Sequence, residues 1–241
     1  MKQLKTNSFQ GEQYSIKKYT AGTVRKMPLF PIFISLAGKK CVCIGGGNVA
    51  SRKVEALLDF NADITVISPE INEQMDRLNQ LGGLRLINRE YLPGDLEGAF
   101  LAVAATSDRK TNEQVVHEAE SRNILVNVVD SPEKCTFVFP SIVRRGDLVI
   151  GITTSGDFPI LSKKVREKIE LLFPGYYSDV LAVLKEYRKK AIIEIPDAEK
   201  RKTVMDKMLE VILNSDQDSM KVQLLDKINN IYKELKDEKD N

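Results

Sequence analysis

From Leu29 onward the chain alternates short apolar runs with amphipathic stretches. Leu29 to Ile34, Cys41 to Ile44, Ile64 to Ile67, Leu84 to Ile87, Ala99 to Ala104 and Ile124 to Val128 are short and largely apolar, as strands covered on both faces are. Helical spacing follows the glycines at 45–47 and returns around Thr111 to Ser121. Strands and helices in this order predict a parallel, doubly wound α/β sheet over residues 27–139.

Pro140 ends that series. Ser141 to Arg145 and Leu148 to Thr153 read as a hairpin around Arg145-Gly146-Asp147, followed by a helix from about Pro159 to Phe173. Residues 140–173 are too few to bury a core of their own, and their strands leave open edges, so a small α+β dimerisation domain and a homodimer are expected. Beyond Pro174-Gly175 the apolar residues fall three and four apart: Tyr177, Val180, Leu181 and Leu184, then Met205, Met208, Leu209 and Ile212, then Val222, Leu225, Ile228, Tyr232 and Leu235. That spacing predicts a helical domain over residues 174–236, with residues 237–241 as a frayed tail.

Composition narrows the class. The 241 residues are 42% hydrophobic and 29% charged, enough for a substantial core. No apolar run is long enough to span a membrane, and residues 1–26 lack the apolar centre of a signal peptide, so a cytoplasmic protein is expected. The net charge of +2 is a tail effect: Lys2, Lys5, Lys17, Lys18, Arg25 and Lys26 face one acid, Glu12, in residues 1–26, leaving the remainder at −3. This basic leader reads as disordered and not as a nucleic-acid arm, since no stacking aromatics or binding module accompany it. Met27 is a second candidate start. Cys41 and Cys43 share one face of a strand and read as reduced core residues; Cys135 also reads as reduced.

The segment Cys43-Ile44-Gly45-Gly46-Gly47-Asn48-Val49-Ala50-Ser51-Arg52-Lys53 carries the first chemistry. Gly45, Gly47 and Ala50 fit G-x-G-x-x-A between a strand and a helix: Gly45 for the tight turn, Gly47 for close approach of a pyrophosphate, Ala50 for helix packing. The helix N-terminus then favours the phosphate charge. At the end of the next strand stand Ile67-Ser68-Pro69-Glu70. Ser68 and Glu70 suit a ribose 2′-hydroxyl, and no cation follows directly for a 2′-phosphate, so NAD is expected over NADP.

Little else suggests catalysis. The single histidine, His117, lies among polar residues of its helix and reads as solvated. No nucleophile elbow, HExxH motif or zinc-spaced cysteine pair occurs, and no resident metal is expected. In an open parallel sheet ligands bind beyond the carboxyl ends of the strands. Three segments end there: Ala104 to Asp108, including Thr106; Asn127 to Asp130; and Gly151 to Gly156, including Thr153, Thr154 and Ser155. Asp130 is the preferred acid or base, although an aspartate before Ser131-Pro132 is equally an ordinary turn residue. The hydroxyls of 153–155 precede a helix bearing Lys163, Lys164, Arg166 and Lys168, an arrangement suited to carboxylates.

Taken together these segments resemble the precorrin-2 dehydrogenase family, the unit also found as the N-terminal part of siroheme synthases. The matching stretches are Met27-Pro-Leu-Phe-Pro-Ile-Phe33, Ile44 to Lys53, Ala104 to Asp108, Asn127 to Asp130, Phe139-Pro-Ser-Ile-Val143 and the Thr153 to Pro159 loop. The resemblance implies a Rossmann domain, an interlocking dimerisation domain and a helical domain, and NAD-dependent oxidation of precorrin-2, a tetrapyrrole rich in carboxylates, to sirohydrochlorin. Asp130 matches the family's catalytic aspartate; Gly45, Gly46, Gly47, Asn48, Val49, Ser68, Pro69, Glu70 and Thr106 are implied cofactor contacts; Asn127, Thr153, Thr154, Ser155 and Gly156 are implied substrate contacts. Some relatives also insert Fe(II) or Co(II), but Val143-Arg-Arg-Gly-Asp-Leu148 resembles the dehydrogenase-only branch. An alternative of another class is an NAD-binding redox sensor that signals through its C-terminal helices.

Overall fold

The central sheet owes its layout to runs that alternate between two buried faces. In a computed structural model that describes residues 29–214 and 221–237, β1 (Lys40–Ile44), β2 (Asp63–Ile67), β3 (Arg85–Ile87), β4 (Leu101–Ala104) and β5 (Leu125–Val128) form one parallel sheet in the order β3-β2-β1-β4-β5. The leader and the last four residues of the tail lie outside the described residues.

Residues alternate across the pleat. Cys41, Cys43, Ile64, Val66, Leu101 and Val103 pack with Ala50, Val54 and Leu57 of α1 (Asn48–Leu58) and Met75 of α2 (Glu73–Gln80). Val42, Ile44, Ala102, Ala104, Val126 and Val128 pack with Val115, Val116 and Ala119 of α3 (Arg109–Ser121). Each fully buried Val, Leu or Ile contributes about 1.5–3 kcal/mol, so both faces need their helices. The chain winds outward from β1 to β3 and then crosses to β4 on the other side of β1. The carboxyl ends of β1 and β4 therefore flank the switch point, where such sheets leave a crevice.

The structure departs from the sequence pattern in two places. The run Leu29 to Ile34 forms no strand; Pro31 at its centre has no N–H for a ladder and Phe33 is exposed. In turn, α2 carries only two apolar residues, Met75 and Leu78, so its periodicity is thin. It is started instead by Asn72, whose side chain accepts the Met75 N–H at 2.8 Å.

The hairpin pairs β6 (Ser141–Arg145) with β7 (Leu148–Ile152), Arg145 opposite Leu148, and turns on Gly146 at φ +60°. α4 (Pro159–Leu172) packs on it. α5 (Tyr177–Glu194), α6 (Ala198–Asn214) and α7 (Lys221–Asp237) share their own core of Val180, Ala191, Val204, Met208, Ile212, Ile228 and Tyr232. Leu209, expected on that inner face, is exposed.

Candidate functional site: a glycine loop facing an aspartate turn

β1 delivers Gly45 directly to the switch point. Its φ of +114° and the Ala105 carbonyl carbon, 2.8 Å from where a Cβ would stand, exclude a side chain. Gly46 is equally constrained: a Cβ there would strike the Glu70 carbonyl oxygen and come within 2.8 Å of Ile71 Cγ2. The sequence motif gives this middle glycine no duty, yet it is where the first loop touches the end of β2. Gly47 differs. It is extended (φ −82°, ψ −174°), exposed, and its Cβ position is empty to 4 Å. It precedes α1 as N-cap with no side-chain cap and no acid in the first turn, so the helix presents unclaimed N–H groups and dipole to open space. The residues present thus fit a dinucleotide pyrophosphate beside Gly47, Asn48 and Val49.

Ser51 and Asn72 brace this loop. Ser51 is buried and its Oγ donates to Gly47 O at 2.8 Å. Asn72 N–H donates to Gly46 O at 2.9 Å, and its Nδ2 donates to Asn48 Oδ1 at 2.7 Å. Neither residue is prominent in the sequence; only Asn72 carries a signal, as an N-cap residue before an acidic turn.

At the end of β2 the expected roles separate. Ser68 is buried and donates its hydroxyl hydrogen to Glu70 O at 2.5 Å, so it builds the turn and does not face a ribose. Pro69 and Glu70 are exposed. Beyond β4, Thr106 is half-buried and exchanges hydrogen bonds with the buried Asn112, Oγ1 to Oδ1 at 2.9 Å and Nδ2 back to Thr106 O at 3.0 Å. Asp108 caps α3 through Thr111 and Lys110; the Thr111 hydroxyl first, then its N–H, hold the carboxyl below its usual range.

Asp130 stands two residues past β5. Val129 N–H donates to Ala104 O at 2.9 Å, extending the sheet by one rung before the turn. Asp130 is exposed at φ +61°, a left-handed conformation costing about 1 kcal/mol. The chain then folds back along β5: Thr136 N–H donates to Val126 O at 2.9 Å, and Val126 N–H to Thr136 Oγ1 at 2.8 Å. Asn127, expected at the substrate, is buried instead. It accepts Lys53 Nζ at 2.8 Å and donates to Phe137 O at 3.0 Å, because position 127 points toward α1 on the face of Cys43 and Val103. Lys53 also sits 4.2 Å over the Phe139 ring, and its burial lowers its pKa.

The loop before α4 is ordered by its own hydroxyls. Thr154 Oγ1 accepts the Phe158 N–H at 3.1 Å and the Ser162 hydroxyl at 3.2 Å, and Thr153 Oγ1 accepts the Ser155 N–H at 3.0 Å. Ser155 and Gly156 are left-handed, at φ +55° and +86°. Thr154 therefore ties the loop to the first turn of α4, while Thr153 and Gly156 are exposed. Arg166 is paired to Glu170 at 2.6 Å; Lys163, Lys164 and Lys168 are exposed.

His117 is exposed as expected. Its neighbour Glu118 is buried, accepting the Tyr91 hydroxyl and the Gly94 N–H at 2.9 Å and ion-paired with Arg122 at 3.0 Å; it ties the segment 91–95 to α3. Among the described residues no group of three or more His, Cys, Asp or Glu is placed to hold a metal ion, and no helix is long and apolar enough to cross a membrane.

A family model described as putative NAD(P)-binding matches residues 32–141. The siroheme synthase of Methylobacillus flagellatus is 41% identical over 163 residues, 68% of this chain and 35% of its own length. That of Pseudomonas aeruginosa is 35% identical over 184 residues, 76% of this chain and 40% of its own. The chain thus spans well under half the length of the curated relatives it matches. The solved structure of SirC, precorrin-2 dehydrogenase, superposes with a TM-score of 0.67 at 22% identity, covering 86% of this chain and 100% of that one. With an NAD(P)-binding domain of the expected topology and siroheme synthases 35–41% identical over more than two thirds of its length, the chain belongs to the siroheme synthase family over the part of those proteins it spans.

Proposed function

We propose that the protein oxidises precorrin-2 to sirohydrochlorin with NAD, as a cytoplasmic homodimer. The observation that carries this reading is the placement of an open glycine loop and an exposed, conformationally fixed Asp130 at the carboxyl ends of β1 and β5, on either side of β4. Gly45 to Val49 hold the pyrophosphate, and Pro69 and Glu70 take the adenosine ribose. The exposed Glu70 carboxylate accepts from a 2′-hydroxyl and repels a 2′-phosphate, which selects NAD over NADP. Thr106 borders the nicotinamide side of the crevice.

NAD held at the glycine loop would supply the hydride-accepting chemistry. The residues of this chain orient the macrocycle and remove the second hydrogen as a proton, which Asp130 takes on its carboxylate. The overall change balances as precorrin-2 and NAD⁺ giving sirohydrochlorin, NADH and one proton. Thr153 to Gly156, followed by the cations of α4, offer exposed polar groups for substrate carboxylates. Residues 27–139, 140–173 and 174–236 serve as cofactor, dimerisation and helical domains. Phe158, Ile160, Leu161, Leu171 and Leu172 are all at least half exposed along α4, an apolar surface that supports pairing with a second copy.

The test is anaerobic: precorrin-2 and NAD are supplied and NADH formation is followed by absorbance, with NADP in parallel. Reduction of NAD in preference to NADP supports the proposal. NAD that binds folded protein and is never reduced would transfer the reading to the redox sensor.

A further inference from the structure

We infer that Cys135 is a positioning residue for Asp130, holding the aspartate turn through a thiol placed at its base. This rests on the catalytic reading of Asp130 above.

The turn from Val128 to Ser131 closes around one sulfur atom. Val128 N–H donates to Cys135 Sγ at 3.2 Å, and the Asn127 side-chain amide donates to it at 3.6 Å. The thiol hydrogen lies within reach of Val128 O and Ser131 O, each 3.4 Å away. One small side chain thus contacts the residues two before and one after Asp130. Between these anchors, Asp130 is kept in a left-handed conformation that an aspartate free to relax would leave.

The path by which Cys135 arrives is itself fixed. A single 3-10 turn over Pro132–Lys134 returns the chain toward β5, and the Cys135 N–H donates to Pro132 O at 3.2 Å. Thr136 then clips onto Val126 from the next position. Behind the sulfur, Asn127 is held by Lys53 from α1. The helix that begins at the glycine loop therefore supports, through Lys53, Asn127 and Cys135, the turn that presents the carboxylate. Sulfur suits this place because its longer bonds and larger radius let weak contacts be made at 3.2–3.6 Å, where an oxygen would fall short of several of them. Cys41 and Cys43 are only 1% exposed and belong to the core; the Cys43 thiol donates to Gly45 O at 3.8 Å, in the glycine loop and not in the aspartate turn.

The experiment compares the wild-type chain with Cys135→Ala, Cys135→Ser and Asp130→Ala, alone and with Cys135→Ala added to Asp130→Ala. NAD affinity, kcat with precorrin-2 and the thermal unfolding midpoint are measured for each. Cys135→Ala is expected to lower kcat by about ten- to a hundredfold, as misplacement of a reacting group does, with NAD affinity unchanged. Cys135→Ser should recover part of that loss, since it restores a donor and acceptor. In the Asp130→Ala background, Cys135→Ala should cost nothing further. If Asp130→Ala abolishes turnover while folded Cys135→Ala and Cys135→Ser both keep wild-type kcat, the inference is overturned and the catalytic reading stands. An additive loss in the double variant overturns it too. If Asp130→Ala turns over normally, the catalytic reading falls and takes this inference with it. Should Cys135→Ala not fold, the serine variant decides: wild-type kcat rejects the inference, and a kcat below wild type at unchanged NAD affinity supports it.

Discussion

Asn72 Nδ2 donates to Asn48 Oδ1 across 2.7 Å, joining the N-termini of the two helices that follow β1 and β2. The same side chain caps α2 by accepting Met75 N–H, so one carboxamide serves a helix and a loop. Asn72→Ala should cost about 1 kcal/mol of folding stability through the lost cap and weaken NAD binding. Asn72→Ser keeps the capping acceptor but cannot span to Asn48; it should unfold near the wild-type temperature and still bind NAD less tightly. Thermal melts and NAD titrations of the two variants separate these contributions, and equal NAD affinity in wild type and Asn72→Ser would detach the contact from binding.

Gly46→Ala and Gly47→Ala are expected to fail differently. At 46 the new methyl meets backbone of the β2 turn, so the fold itself should be disturbed, with a lowered unfolding midpoint. At 47 it meets nothing in the protein; stability should hold while NAD affinity falls on the order of tenfold, the space being the one proposed for the pyrophosphate. A Gly47→Ala protein with unchanged NAD affinity would show that the phosphates lie elsewhere.

Stability should fall in alkali. Burial pushes the Cys43 thiol from 9.0 up to about 12, and burial, then Asp63, pushes Cys41 up to about 11. Above pH 9 the unfolded thiols ionise while the folded ones do not, so the stability contributed below pH 9 is lost as pH rises toward the folded values. For Cys43 the slope is about 1.4 kcal/mol per pH unit. Urea unfolding from pH 8 to 11 should show this loss, flattened in Cys43→Ala.

The exposed side of α4 predicts the assembly state. Ile160→Glu with Leu171→Glu places charge on two positions 66% and 68% exposed and should leave each protomer's fold intact while converting a dimer to monomers in sedimentation velocity. A wild-type protein that sediments as a monomer would reject the dimer outright.

The sheet was legible because its strands are buried on both faces and carry little polar interruption. Pro31 shows the limit of that signal: an apolar run is not a strand when its centre has no N–H to give. α2 was missed for the converse reason, since a half-exposed helix with two apolar residues is specified by its cap more than by its stripe. The strand-end rule points to Asp130 and Glu70, which the structure leaves exposed, and to half-buried Thr106, but it could not tell an exposed side chain from one pointing back under a helix. Asn127 and Ser68 are both at strand ends and both serve the protein's interior. Cys135 was unreadable as a partner of Asp130 because the return of the chain along β5 is a tertiary event.

The contact between Gly46 and the Glu70 carbonyl has a consequence for altering cofactor preference. The glycine loop and the turn after β2, proposed above to hold the pyrophosphate and the ribose, abut as one seat and are not two adjustable parts. Replacing residues 68–71 to admit a 2′-phosphate would shift the backbone on which Gly46 rests, and affinity for the shared pyrophosphate would change with it. A change of dinucleotide in this protein therefore calls for substitution of the Glu70 side chain on an unmoved main chain, not for exchange of the loop.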